Sequence, residues 1–317
     1  MSETDSTTQA ERDGRDGSDA DPAEPAVSDD VDPAVTVDGL THGFGDVTVL
    51  DGVSLDVRAG SLVALVGPNG SGKSTLLRIV AGVLGPDGGH VDVAGSGVRP
   101  VGYLPQRPSF RPGFSVADTL GFYADLLGPE RAEEVDVEEA LARVGLGDTG
   151  DRRVEALSGG MTRLLGVAQA LLGDPPVLVL DEPASGLDPA MSAHIYETIR
   201  EVADEGRAVF VASHDLAAVE RTADRVALLV RGRIILDGDP RELVADAGAD
   251  GLDGVFLDAV DASEGLTVRT RLDGDGNRPG PDDNGDRTES DSDGNGDRPG
   301  ADGDRDDNRD RPGGDRA

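Results

Sequence analysis

Residues Gly67 to Ser74 read Gly-Pro-Asn-Gly-Ser-Gly-Lys-Ser, and no other stretch restricts the fold as tightly. A glycine-rich loop ending in Gly-Lys-Ser turns its backbone N–H groups inward around an anion, provided a buried strand enters it and a helix leaves it. Both flanks are present. Leu62 to Val66 is an unbroken apolar run, as expected of a strand covered on both faces. After the loop, Leu76, Ile79, Val80 and Val83 recur at helical spacing and Gly85-Pro86 provides a stop, so the spacing predicts a helix over 76–84. In this setting Gly67, Pro68, Asn69, Gly70, Ser71 and Gly72 form the cradle. Lys73 reaches the β- and γ-phosphates as a compact point charge, and Ser74 offers a hydroxyl to Mg²⁺. Lys73 is also the only lysine in a chain that otherwise uses arginine, so the single ammonium is kept where a guanidinium substitutes poorly.

The surrounding pattern is α/β. Val35 to Val37, Ser54 to Val57 and His90 to Val93 alternate apolar and polar residues, as half-exposed antiparallel strands do. Val177 to Leu180 and Ala208 to Ala212 are continuous apolar runs. The first group predicts an antiparallel side subdomain and the second a mainly parallel core sheet flanked by helices. Residues 1–33 and 263–317 are rich in Asp, Gly, Ser, Arg and Pro with almost no large apolar side chains, and are expected to be disordered acidic tails.

Two further segments carry chemistry. Val177 to Leu180 runs into Asp181-Glu182, so a buried strand delivers two adjacent carboxylates at its C-terminal end, where α/β sheets place their ligands. Successive residues diverge there: Asp181 faces Mg²⁺, and Glu182 faces the γ-phosphate as general base or water-orienting group. Leu157 to Met161 reads Leu-Ser-Gly-Gly-Met and precedes a helix with Leu164, Leu165, Ala168, Leu171 and Leu172 at core spacing. Ser158 and the N–H groups of Gly159 and Gly160 then sit at a helix N-terminus, a second anion-binding device in one chain.

The order of Gly67 to Thr75 (GPNGSGKST), Gln106, LSGGM, LVLDEP, Ser185 to Asp188 (SGLD) and His214 resembles the nucleotide-binding domain of ABC ATPases over about residues 34–245, with 246–262 as a short C-terminal extension. The resemblance implies a P-loop ABC cassette with a mainly parallel core sheet, an antiparallel β-subdomain and a helical subdomain. It further implies a head-to-tail dimer with a second copy or a homologous ATPase subunit, in which Ser158 and Gly160 contact the γ-phosphate of ATP across the interface. By the same resemblance Gln106 senses Mg²⁺ and the attacking water, Asp188 runs along the dimer interface, His214 holds γ-phosphate and water in line, and Phe44 stacks on adenine. Two positions depart from the family: Met161 stands where many members have glutamine, and Leu164 where a basic residue is common. These touch the ribose and partner contacts and leave the phosphate donors in place.

Composition narrows the class. Asp and Glu number 63 against 29 Lys and Arg, a formal net charge of −34, which repels phosphate backbones and argues against nucleic acid as a partner. Aspartate excess with almost no lysine resembles proteins of extreme halophiles. There is no cysteine, and His42, His90, His194 and His214 lack metal-ligand spacing. No stretch approaches the roughly 20 apolar residues of a membrane span, and the N-terminus is acidic where a secretory signal is basic. A transporter role therefore needs a separate integral membrane permease, with this chain cytoplasmic and peripheral on the inner face of the membrane. Leu120 to Leu127, LSGGM and Leu252 to Val260 resemble export or multidrug ATPases. The alternative is a soluble ABC ATPase with a non-membrane partner, such as an iron-sulfur assembly type.

Overall fold

Buried strand runs and glycine turns dictate the layout of the computed structural model, which describes residues 32–95 and 99–264. Of the expected tails at 1–33 and 263–317, residues 1–31 and 265–317 lie outside these residues. Strands β1 (Val35–Phe44), β2 (Val47–Val57) and β4 (Gly88–Val93) form a three-stranded antiparallel sheet in the order β2-β1-β4. These are the three segments with alternating pattern, extended at their ends.

The second sheet has six strands: β3 (Leu62–Val66), β5 (Val101–Leu104), β6 (Val177–Asp181), β7 (Ala208–Ala212), β8 (Arg225–Val230) and β9 (Arg233–Gly238). Their order is β5-β6-β7-β3-β8-β9, parallel throughout except for the antiparallel β8–β9 hairpin. β3, β6 and β7 are buried at every residue. Their side chains alternate between two cores, as the two-residue period of a strand requires. Leu62, Ala64, Val66, Leu178, Leu180, Val209 and Val211 face one cluster, while Val63, Leu65, Val177, Val179 and Phe210 face the other. The second cluster is closed by the antiparallel sheet and by helix α1 (Lys73–Val80), through Leu40, Leu50, Leu76, Leu77 and Val80.

Helix α1 stops at Val80, before the predicted end at Leu84. Gly82 adopts φ +69°, the Val83 N–H returns to the Arg78 carbonyl at 2.9 Å and the Gly82 N–H to the Ile79 carbonyl at 2.9 Å. This Schellman closure at Gly82 ends the helix one turn before Gly85-Pro86 is reached.

The helical subdomain comprises α2 (Val116–Asp125), α3 (Pro129–Ala132), α4 (Val137–Arg143) and α5 (Gly159–Leu171). Ser115 and Asp118 form a reciprocal capping box at the start of α2. Leu164, Leu165, Ala168 and Leu171 of α5 enter the first core with Leu120 and Leu141. Each fully buried leucine of this kind contributes on the order of 2 kcal/mol relative to exposure. Helices α6 (Pro189–Asp204) and α7 (Leu216–Thr222) flank the same core. Helices α8 (Pro240–Ala247) and α9 (Leu252–Glu264) follow. Leu252 belongs to that core and Phe256 packs against it, so the expected C-terminal extension is continuous with the domain, and its helix passes position 262 by two residues.

Candidate active site

Four neighbouring parallel strands, in the order β5-β6-β7-β3, end on one edge of the sheet. This edge brings together Gln106 beyond β5, Asp181 and Glu182 at the end of β6, Ser213 and His214 beyond β7, and the glycine loop beyond β3. Residues scattered over 147 positions of sequence, from Gly67 to His214, thus share one rim.

The glycine loop is shaped for close approach. Gly67 has φ +155°, and a Cβ there meets the Leu229 carbonyl oxygen at 2.1 Å, so only glycine fits. Gly70, at φ +79°, faces open space, and Ser71 Oγ is buried without a hydrogen-bond partner among the described residues. A buried orphan hydroxyl on a glycine-rich loop matches the requirement of a bound phosphate. The Lys73 ammonium is buried and donates to the carbonyls of Gly67 at 2.7 Å and Pro68 at 3.1 Å. Burial lowers its pKa, while Glu182 and Asp181 oppose that shift.

Ser74 Oγ donates to Asp181 Oδ1 at 3.0 Å. Burial raises the Asp181 pKa, against the pull of the Ser74 hydroxyl. A hydroxyl and a carboxylate side by side are the hard oxygen donors that Mg²⁺ takes together with phosphate oxygens, so these residues fit that ion. Glu182 is 7% exposed and has φ +53°, a left-handed conformation that costs a non-glycine residue about 1–3 kcal/mol. Its N–H donates to the Ala212 carbonyl at 3.0 Å, and its carboxylate Oε2 accepts from His214 Nδ1 at 2.5 Å. An exposed histidine thus meets a buried carboxylate at the sheet edge.

A cleft of 370 Å³ is lined by Phe44, Asn69, Gly70, Lys73, Ser74, Thr75, Gln106 and Glu182. Phe44 is 52% exposed at one end and braced edge-on by His42, with ring centroids 4.8 Å apart. An exposed aromatic face opposite a phosphate cradle offers a stacking surface for a planar base. Ser158, Gly159 and Gly160 do not line this cleft. Ser158 caps α5, its Oγ accepting from the Met161 N–H at 3.2 Å, and Gly160 lies so close to Met191 that a Cβ meets Met191 Cγ at 2.6 Å. Asp188 caps α6 through the N–H groups of Ala190 and Met191, both at 3.1 Å, and is also outside the cleft.

Sequence reasoning missed three contributors. Tyr196 is buried, its pKa pushed up to about 12 by burial, and its hydroxyl lies 2.5 Å from Ser213 Oγ. Ser213 Oγ in turn accepts from the Asp215 N–H at 3.0 Å, so this chain of bonds brackets His214. Arg163 donates to the carbonyls of Gln106 and Glu182. Leu164, at the position where a basic residue is common, is buried in the core, and the cation comes one residue earlier. The only sequence signal for Tyr196 is a phenol on the apolar face of a helix, and for Arg163 an arginine directly behind the LSGGM turn.

The family described as ABC transporter matches residues 50–185, a span that contains the glycine loop, the LSGGM turn and Asp181-Glu182. The daunorubicin resistance ATP-binding protein DrrA3 of Streptomyces coeruleorubidus is 36% identical over 238 residues, covering 72% of this chain and 75% of that protein. A Nod factor export ATP-binding protein I of Ralstonia nicotianae is 36% identical over 221 residues, covering 67% and 69%. Among solved structures, the ATP-binding subunit of an ABC transporter matches at 27% identity with a TM-score of 0.64, covering 72% of this chain and 99% of that one. The cbiO1 protein of Clostridium perfringens, part of the ABC transporter complex cbiONQ, matches at 28% identity with a TM-score of 0.62, covering 75% and 96%.

Proposed function

The chain belongs to the ABC transporter ATP-binding family, and from that premise we propose that two copies close head to tail, each ATP held between the glycine cradle of one and the Ser158–Gly160 turn of the other. The observation that carries this reading is the composition of the cleft: one copy supplies a stacking ring, a cradle, an ammonium and a carboxylate, but not its own second anion device. A helix N-terminus bearing Ser158 and two glycines has its donors available for a phosphate brought by another copy.

As a member of this family the chain hydrolyses ATP to ADP and phosphate. Phe44 stacks on the base, and the loop N–H groups with Lys73 neutralise the phosphate oxygens. Ser74 and Asp181 would hold Mg²⁺, which would supply charge neutralisation at the transferring phosphate. Glu182, held by His214, orients the water and takes its proton as the water oxygen attacks phosphorus and ADP leaves. Gln106 faces the same cleft from a separate strand end and relays its occupancy toward the helical subdomain.

Among the described residues no helix is long and apolar enough to cross a membrane. ATPases of this family work with membrane permease subunits, so the work of the cycle passes to a separate integral permease on whose inner face this chain is peripheral. The relatives named for Nod factor export and daunorubicin resistance support export as the direction.

The test is hydrolysis by the full chain in molar KCl with Mg²⁺. Glu182→Gln is expected to lower kcat by at least about 100-fold while ATP is still bound. Unchanged turnover removes Glu182 from its role, and turnover absent from the parent chain removes the ATPase reading.

A further inference from the structure

Glu182 has to be aimed in a backbone conformation that its own side chain disfavours, and the structure assigns Arg163 as the positioning residue that keeps it there. This inference rests on the reading of Glu182 as the residue that orients the attacking water.

The peptide groups on either side of Glu182 are both held. The Glu182 N–H is fixed to Ala212 on β7 at 3.0 Å. The Glu182 carbonyl accepts from Arg163 Nη1 at 3.2 Å and from the Ser185 N–H at 3.3 Å. A residue at φ +53° relaxes unless both of its peptide groups are held, and Arg163 is the side chain among these restraints. The same Nη1 donates to the Gln106 carbonyl, so one nitrogen ties the loop after β5 to the end of β6. Arg163 is rooted in α5, five residues after Ser158. The helix whose N-terminus is offered to the second copy therefore holds, one and a half turns later, the peptide of the hydrolytic carboxylate.

Charge supports the geometry. Burial lowers the pKa of Arg163 at this half-buried position, Glu182 and Asp181 oppose that shift and favour the ionised guanidinium, and Arg107 adds to the lowering. Nη1 lies one atom farther along its side chain than a lysine ammonium would and is fixed in the guanidinium plane, so a lysine here reaches the two carbonyls less well. Arg163 does not line the cleft that holds the cradle and Phe44, so its removal is expected to spare ATP binding.

The experiment compares kcat, KM for ATP and thermal midpoint in the full chain. Arg163→Met, which keeps the stem and removes every donor, is expected to lower kcat about 10- to 100-fold with KM within about threefold, since misplacement of about 1 Å costs this much. Arg163→Lys, whose ammonium ends one atom short of the Nη1 position, falls between the Met variant and the parent. In the Glu182→Gln background, adding Arg163→Met is expected to change the residual rate less than about twofold, because both act through one group. A kcat within about twofold of the parent overturns the assignment, as does a full additional loss in the Glu182→Gln background. If the Met variant fails to fold, Arg163→Lys decides: lowered kcat at parental KM supports the assignment, and parental values for both overturn it. Failure of the parent chain itself to hydrolyse ATP is a different result and removes the function on which the inference rests.

Discussion

Asp181 and Glu182 are adjacent, both buried and both acidic, yet they are held by different partners, Ser74 for the first and His214 with Ala212 for the second. Burial is the largest cause of the raised Asp181 pKa. The sign follows from linkage: an acid whose pKa is higher in the fold than in the open chain costs stability above both values, and this cost shrinks as pH falls through the folded value and is gone only below the open-chain value of about 3.9. Asp181→Asn is therefore expected to raise the thermal midpoint at pH 7 by a few degrees, on the order of 2–4 °C per kcal/mol recovered for a domain this size, and to abolish hydrolysis. The gain should shrink as the pH is lowered. A lowered midpoint at pH 7 contradicts a carboxylate kept at a thermodynamic cost for its chemistry.

The elements that build the site were legible in the sequence wherever the signal is local. The glycine loop, the Asp181-Glu182 pair and the LSGGM turn each lie within a few residues and carry their own strand or helix context. What the sequence does not display is the strand order β5-β6-β7-β3, because parallel strands pair through long crossovers and nothing in Val101 to Leu104 specifies Val177 to Leu180 as its neighbour. The hairpin of β8 and β9 was equally unmarked, Arg225–Val230 being a short apolar run whose burial depends on β3 beside it. Gly82 ended α1 because a left-handed glycine outcompetes a proline four residues later. Arg163 and Tyr196 act through carbonyl and hydroxyl contacts across elements, which no periodicity records. At this scale Ser158 has one duty in the structure and a second in the proposed dimer, and the two are separable. As the α5 cap, Ser158→Ala is expected to cost about 1 kcal/mol in chemical denaturation. As donor to the partner's ATP it should also lower turnover at saturating ATP, whereas full turnover in a destabilised variant leaves it a cap only.

For the whole molecule, two quantities matter: its charge and its stoichiometry. A formal net charge of −34 repels itself over about 10 Å in 0.1 M salt and over about 3 Å in 1 M salt. The thermal midpoint is therefore expected to rise by about 10 °C or more between 0.1 and 2 M KCl, and a flat midpoint contradicts a salt-demanding surface. Screening matters for the proposed assembly as well, since in that proposal two such chains approach face to face before either site is complete. The central claim is that one copy presents the cradle and the other presents Ser158 and Gly160, because neither copy folds its own LSGGM turn into the 370 Å³ cleft. The most direct measurement is sedimentation of the Glu182→Gln chain in molar KCl, with and without ATP and Mg²⁺, alongside its bound-nucleotide count. The account predicts a doubling of mass with ATP, two nucleotides per dimer, and loss of the dimer when Ser158→Ala is added. ATP bound one to one by a species that keeps the mass of a single chain contradicts it.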